Sequence, residues 1–358
     1  MTDPMTEVPA WLPTVHRMTL SAGEIAAILP MVDEISAGYR SIEDPQLIGM
    51  APLHAQGLPR RLREFLEQYR VEEPAAMCIV SGFPVRDDAI GPTPDHWNLV
   101  GEDAPTLRQQ VFFLLCGVLL GDVFAWATQQ DGRIMHDVLP IKSHRSEQLG
   151  TGSEMLLWWH TEDTFSPFKG DYVALMCLRN PDNIGTTVCD ADWIDWSSVD
   201  VDLLFEPEYP IRPDDAHLPK IGVGDRQTSD PVTERLLEES CRRIVDQYDN
   251  PRKKPVLYGD RARPYMSLDP YYMLPEQMEA GPRAAFDTFT KAIDAAVTGI
   301  VLQPGDIAFI DNFRAVHGRE PFTARYDGTD RWLKRLNITR NLRVSRAARR
   351  SSTDRVVF

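Results

Sequence analysis

The chain has 358 residues, of which 43% are apolar and 25% charged, so it can bury a sizeable core and is too apolar for general disorder. Its formal charge of −15 excludes a nucleic-acid partner, because phosphate binding needs a basic surface, and favours encounter with small cations. Twenty-eight prolines favour a loop-rich architecture over a helical bundle.

The opening stretch MTDPMTEVPAWLPTVHR is polar, acidic and Pro-rich, with no apolar signal region, so a cytoplasmic location is expected. SAGEIAAILPMVDEISAGY then shows a Ser N-cap and apolar residues at helical spacing, and PRRLREFLEQYR reads as a second helix. AAMCIVSGFP reads as a strand ending in a turn. The apolar run from Val111 to Leu120 is shorter than the ~20 residues that span a bilayer, so a core helix and no membrane partner are expected. Beyond residue 150 short strands alternate with Pro, Gly, Asn and Asp clusters: MLLWWHTE, DYVALMCLRNPD, GTTVCDA, YPIRPDD, KPVLYGD, GIVLQPGDIAFIDN and RWLKRLNITR. That texture predicts a sandwich or barrel.

A helical insertion is expected near 275–300, and no internal repeat is present. The chain is therefore divided into a mixed, mostly helical flank over 1–125, a β core over 126–345 and a tail over 346–358, all within one domain. The basic stretch KRLNITRNLRVSRAARRSS is expected to be a solvated C-terminal segment. The five cysteines, Cys78, Cys116, Cys177, Cys189 and Cys241, form no CxxC and read as reduced, buried thiols.

The pair His160–Glu162 raises the functional question. With eight histidines and 53 acidic residues, roughly one H-x-[DE] match arises by chance, so the motif alone carries little. At the end of a strand, however, residues i and i+2 share a face, and His160 and Glu162 can hold one ion. A 2-His-1-carboxylate triad needs a distant histidine and leaves open positions for substrate and O₂. The candidate is His317, after the apolar strand in GDIAFIDNFRAVHGRE. Arg331 follows fourteen residues later. In RWLKRLNIT, Arg331, Leu333, Arg335, Asn337 and Thr339 alternate onto one face, which places the two arginines about 13 Å apart. They could grip two carboxylates, one on a cosubstrate and one on a substrate, or pair with surface acids.

H-x-E, the far His of NFRAVHGR and the later Arg resemble the Fe(II)/2-oxoglutarate oxygenases of the clavaminate synthase-like group. GDVFAWATQQDG, DVLPIKSH, WHTEDTFSP, LRNPD and RYDGTDRWLKR are similar to free L-arginine hydroxylases of peptide-antibiotic pathways, of the viomycin and streptothricin type. The resemblance covers residues 20–350. It implies a distorted double-stranded β-helix, a cupin-like jelly roll with flanking helices. It also implies Fe(II) on His160, Glu162 and His317, and 2-oxoglutarate on Arg331 with Thr186, Thr187 being equally open. It puts the substrate α-carboxylate on Arg335, the α-ammonium on Gln129 and Glu162, and the backbone against Gly150. Asp214 and Asp269 would face the guanidinium. Where one relative pattern has a second Asp two residues after the first, this chain has Tyr271, and Asp269 could instead cap a turn before Pro270.

The implied reaction is O₂-dependent hydroxylation of free L-arginine, at Cβ or else Cγ, with succinate and CO₂ as coproducts. The alternatives are the same chemistry on citrulline, lysine, ornithine or asparagine, a zinc hydrolase, and a non-catalytic jelly-roll binding protein.

Overall fold

The computed structural model describes residues 15–218 and 230–358; the rest of the acidic N-terminal stretch, read above as free of a signal region, lies outside the described residues. In chain order the strands are β1 (His16–Thr19), β2 (Met77–Ser81), β3 (Asp122–Trp126), β4 (His136–Val138), β5 (Leu157–His160), β6 (Tyr172–Arg179), β7 (Gly185–Asp190) and β8 (Tyr209–Ile211). They continue with β9 (Arg252–Lys254), β10 (Leu257–Asp260), β11 (Arg263–Met266), β12 (Thr298–Val301), β13 (Ile307–Asp311), β14 (Ala315–Arg319), β15 (Trp332–Thr339) and β16 (Val356–Val357).

Two sheets face each other as a jelly roll. The larger has eight strands in the order β1-β2-β13-β6-β15-β3-β16, with β4 beside β15; the smaller is β12-β7-β14-β5. Period-two alternation decides which layer each side chain joins. Met77 and Ile79 of β2, Leu175 and Cys177 of β6, and Ala308 and Ile310 of β13 fill the space between the sheets with Val188, Ile300 and Ala315 of the small sheet. Their neighbours Cys78, Val80, Ala174, Met176, Ile307 and Phe309 point the other way. That outer face is covered by helices Ala22–Ala37 and Leu107–Gly117, the latter buried over nearly its whole length. The first of these begins with the capping box Ser21–Glu24.

Trp159, Cys189 and Val316 on the outer face of the small sheet pack on Phe286, Phe289 and Ile293 of helix Ala280–Ala296. The helical insertion expected near 275–300 is this helix. Helix Pro231–Asp249 went unread in the sequence. The flank over 1–125 is not only helical, since β1, β2 and most of β3 are strands of the large sheet. Among the described residues no helix is long and apolar enough to cross a membrane. All five cysteines are free, and all but Cys241 are buried.

The expected solvated tail is corrected. β16 pairs in parallel with β3, and Val357 and Phe358 are buried. The basic side chains do not prevent this, because the fold supplies acceptors. Arg349 donates to the carbonyls of Leu342, Ser351, Ser352 and Asp354, and Arg355 pairs with Asp122. Lys334, from the same basic stretch, is fully buried against Asp137 at 2.5 Å.

Candidate active site

β5 and β14 bring the two distant histidines together. His317 pairs directly opposite His160, and the imidazole centres lie 4.8 Å apart. The approach requires Gly318, because a Cβ there would sit 2.4 Å from the Leu157 carbonyl oxygen. Glu162 is not on the strand, as β5 ends at His160 and Glu162 lies in the following turn. The shared-face argument is thus replaced by a clamp. The Asn312 side chain accepts from the Glu162 N–H (2.6 Å) and donates to its carbonyl (3.0 Å), while Thr161 N–H donates to Leu268 O (2.9 Å).

Held this way, Glu162 Oε2 lies 3.3 Å from His317 Nε2 and 3.6 Å from His160 Nε2. One ligand atom from each residue falls within 4.8 Å of the others. The His160 Nδ1 meets the Trp158 carbonyl at 2.8 Å, which fixes the ring with Nε2 facing Glu162, the arrangement seen when the second nitrogen serves a metal. Burial disfavours charge on His160, yet Glu162 and Asp269 lift its pKa to about 9. Burial lowers that of His317. Burial also opposes the Glu162 anion, but Arg335 and the two histidines hold its carboxyl well below the usual range. A cation is what this carboxylate is arranged for, and the donor set with open positions fits Fe(II).

All ten sequence-expected site residues line one cavity of about 180 Å³: Gln129, Gly150, His160, Glu162, Thr186, Asp214, Asp269, His317, Arg331 and Arg335. Arg331 and Arg335 share the cavity face of β15 and the residue before it, although a bulge interrupts the pairing between Trp332 and Leu333. The opposite face is pinned, because Trp332 Nε1 and Lys334 Nζ both donate to Asp137 Oδ1. Arg331 is buried, donates to Thr186 Oγ1 at 3.2 Å, and leaves its Nε unpartnered. Thr186, not Thr187, lines the cavity.

Arg335 differs from expectation in that its fork is largely occupied. Nη1 donates to Glu162 Oε1 (2.5 Å), and Nη2 donates to Gln129 Oε1 (2.7 Å) and His136 Nδ1 (2.8 Å). Gln129 therefore already spends its oxygen on Arg335, and its amide nitrogen meets His217 Nε2 at 2.9 Å.

Burial pushes Asp214 up to about 7 against the opposing charge of His217, 3.8 Å away, and Asp269 up to about 6 against that of His160, and Asp214 Oδ1 is unpartnered. Asp269 does cap its turn, with Oδ1 accepting from the Tyr271 and Tyr272 amides, while also lining the cavity. Tyr271 is half-exposed at the same wall.

Sequence reasoning missed the support around these groups. Asp163 accepts from Trp126 Nε1 (2.5 Å) and meets His217 Nε2 at 2.9 Å, and His217 Nδ1 meets Thr128 Oγ1 at 2.6 Å. Among the described residues Asp163, Asp214 and His217 form a second tight group. His136 was equally invisible, being tied to the site by the register that sets it opposite Arg335.

The sequence profile described as "Taurine catabolism dioxygenase TauD, TfdA family" matches residues 219–337. An "L-ornithine/L-arginine 3-hydroxylase" of Catenulispora acidiphila is 53% identical over 345 residues, covering 96% of this chain and 100% of the relative. An "Enduracididine beta-hydroxylase" of Streptomyces hygroscopicus is 46% identical over 346 residues, 96% and 99% of the two chains. The crystal structure of the non-heme iron oxygenase OrfP with Fe, succinate and (3S)-hydroxy-L-Arg superposes with a TM-score of 0.87 at 40% identity, covering 96% of this chain and 99% of that one.

Proposed function

The chain belongs to the TauD/TfdA dioxygenase family, and we propose on that premise that it hydroxylates free L-arginine, with 2-oxoglutarate as cosubstrate. One observation carries the reading. A single cavity joins a His/Glu/His cluster to a buried arginine that no acid among the described residues neutralises, and to two acids whose ionisation burial has delayed. Such a cavity calls for an anion on one side and a cation on the other.

His160, Glu162 and His317 would hold Fe(II). Arg331 and Thr186 would receive the distal carboxylate of 2-oxoglutarate. Bound there, iron, 2-oxoglutarate and O₂ supply a reaction that yields succinate and CO₂ and inserts one oxygen atom into an unactivated C–H bond. The protein's part is orientation. Arg335 would address the α-carboxylate with its remaining N–H groups, Gln129 and Glu162 the α-ammonium, and Gly150 the backbone, so that Cβ faces the metal. Asp214 and Asp269 would bracket the guanidinium through charge-assisted bonds.

The relatives support this choice. One is named for ornithine and arginine and for the 3-position, and the OrfP structure holds a 3-hydroxylated arginine. The first name also favours a second reading, ornithine, whose terminal ammonium would meet the same acids. Free cysteines and the natural-product setting of the relatives support a cytoplasmic enzyme of peptide-antibiotic biosynthesis.

The test is incubation with individual free L-amino acids, Fe(II), ascorbate and 2-oxoglutarate, reading products heavier by one oxygen and locating the hydroxyl by NMR. Oxygenation at Cβ of arginine is expected. A product only from citrulline, lysine or asparagine overturns the substrate, and turnover without 2-oxoglutarate overturns the reaction in favour of zinc hydrolysis.

A further inference from the structure

Arg319 also lines the cavity, two residues after His317 on β14. It is 3% exposed, and no carboxylate pairs with it among the described residues. Its partners are backbone carbonyls: Nη1 donates to Ser153 O and Glu320 O at 3.1 Å, and Nη2 to Met155 O at 3.3 Å. Its Nε has no partner. Burial, and then the charge of nearby Arg331, lower its pKa to about 10. Two buried cations without counter-ions thus share one end of the cavity, an arrangement costly to the empty protein.

Two of the three carbonyls held by Arg319, those of Ser153 and Met155, lie between Gly150 and β5. β5 is a short edge strand whose only sheet partner among the described residues is β14, with a register shift between the pairs His317–His160 and Arg319–Leu157. The ladder therefore holds β5 weakly, and the remaining ties of its approach segment include Gln148 to Leu156 O and Trp158 N–H, and the Phe322 N–H to Ser153 O.

We propose that Arg319 is a positioning residue that couples anion binding at Arg331 to the posture of segment 150–158, which lines the cavity at Gly150 and leads straight into the metal-cluster residue His160. An anion at Arg331 removes the repulsion between the two guanidiniums and gives Arg319 a counter-charge. Its grip on Ser153 and Met155 then tightens rather than competing with an uncompensated charge. Cosubstrate filling would in this way firm the wall against which the amino acid must lie. The inference rests on the proposed role of Arg331.

The experiment is amide hydrogen exchange over 148–160 in the anaerobic Fe(II) protein, with and without 2-oxoglutarate, alongside calorimetric 2-oxoglutarate affinity. In the wild type, 2-oxoglutarate should slow exchange in this segment. Arg319→Met should lose that ligand-dependent slowing and bind 2-oxoglutarate roughly tenfold more weakly. Arg319→Lys keeps the charge but cannot span two carbonyls, so it should bind nearly normally without the slowing; it also guards against a folding defect in the Met variant. Normal affinity with unchanged slowing in Arg319→Met overturns this inference alone. A wild type that fails to bind 2-oxoglutarate overturns the proposed function with it.

Discussion

Replacing Arg331 by methionine should separate stability from binding. The guanidinium is buried, makes one hydrogen bond to Thr186, and faces no acid among the described residues. Burial lowers its pKa from the usual guanidinium range to about 10, which at ~1.4 kcal/mol per unit is a native-state cost of about 3 kcal/mol. Because the folded value is the lower one, the cost is fully present below about pH 10, hence at neutral pH, fades as pH rises through that value, and is gone above the unfolded one. Methionine fills similar space without charge and forfeits the Thr186 bond, worth ~1–1.5 kcal/mol. Unliganded Arg331→Met should therefore be as stable as the wild type or about 1–2 kcal/mol more stable. The distal carboxylate of 2-oxoglutarate would lose two charge-assisted bonds of ~1.5–3 kcal/mol each, on the order of a 100-fold or greater rise in Kd. Scanning calorimetry of the metal-free protein and anaerobic titration of the Fe(II) form measure the two effects. A Tm lowered by several degrees, or a Kd within about threefold of wild type, refutes the reasoning.

Asp214→Asn and Asp269→Asn should each cut kcat/KM for arginine by roughly 10–100-fold, with little effect on turnover of uncharged citrulline; equal losses would remove the guanidinium role. Because burial raises these acids to about 7 and about 6, cation binding must expel a proton at lower pH. Arginine kcat/KM should be complete at mildly alkaline pH and fall as pH drops through 7 toward 6, and a flat profile over that window contradicts the assignment. Glu162→Asp should retain iron, measured by metal analysis, but raise the substrate KM, because the shorter chain withdraws from the α-ammonium that Glu162 would address. Lys334→Met leaves Asp137 buried with only the Trp332 indole, and should destabilise by ~3–5 kcal/mol in thermal or denaturant unfolding.

How much of this was written in the sequence depends on how local the signal is. Ser21 announces a helix because capping is an event within four residues, completed here by Glu24, and β6 and β13 announce strands because they are apolar on both faces. The cavity residues were legible through motif spacing. The clamp of Asn312 on Glu162 was not, nor was the line from Asp163 through His217 and Gln129 to Arg335, because these contacts join segments tens of residues apart or more and leave no periodic trace. Helix Pro231–Asp249 carried a readable start, Asp230 followed by a first-turn proline, that the surrounding strand texture masked. The tail misled because charge suggests solvent, whereas arginine can be buried wherever carbonyls converge on its five donors.

β15 works as a ruler. Arg335 stands on it and Arg331 one residue before it, across a bulge, and the Asp137 bonds on its reverse face keep the interval between the two from yielding to whatever is bound. In the proposed binding mode the common part of every free amino acid would be measured from the same zero mark, and the target carbon chosen by how far it stands from that mark. Substrate range would then drift through Asp214, Asp269 and Tyr271, which line the same cavity, without recalibrating the chemistry. A search for variants acting on new amino acids belongs at those three positions.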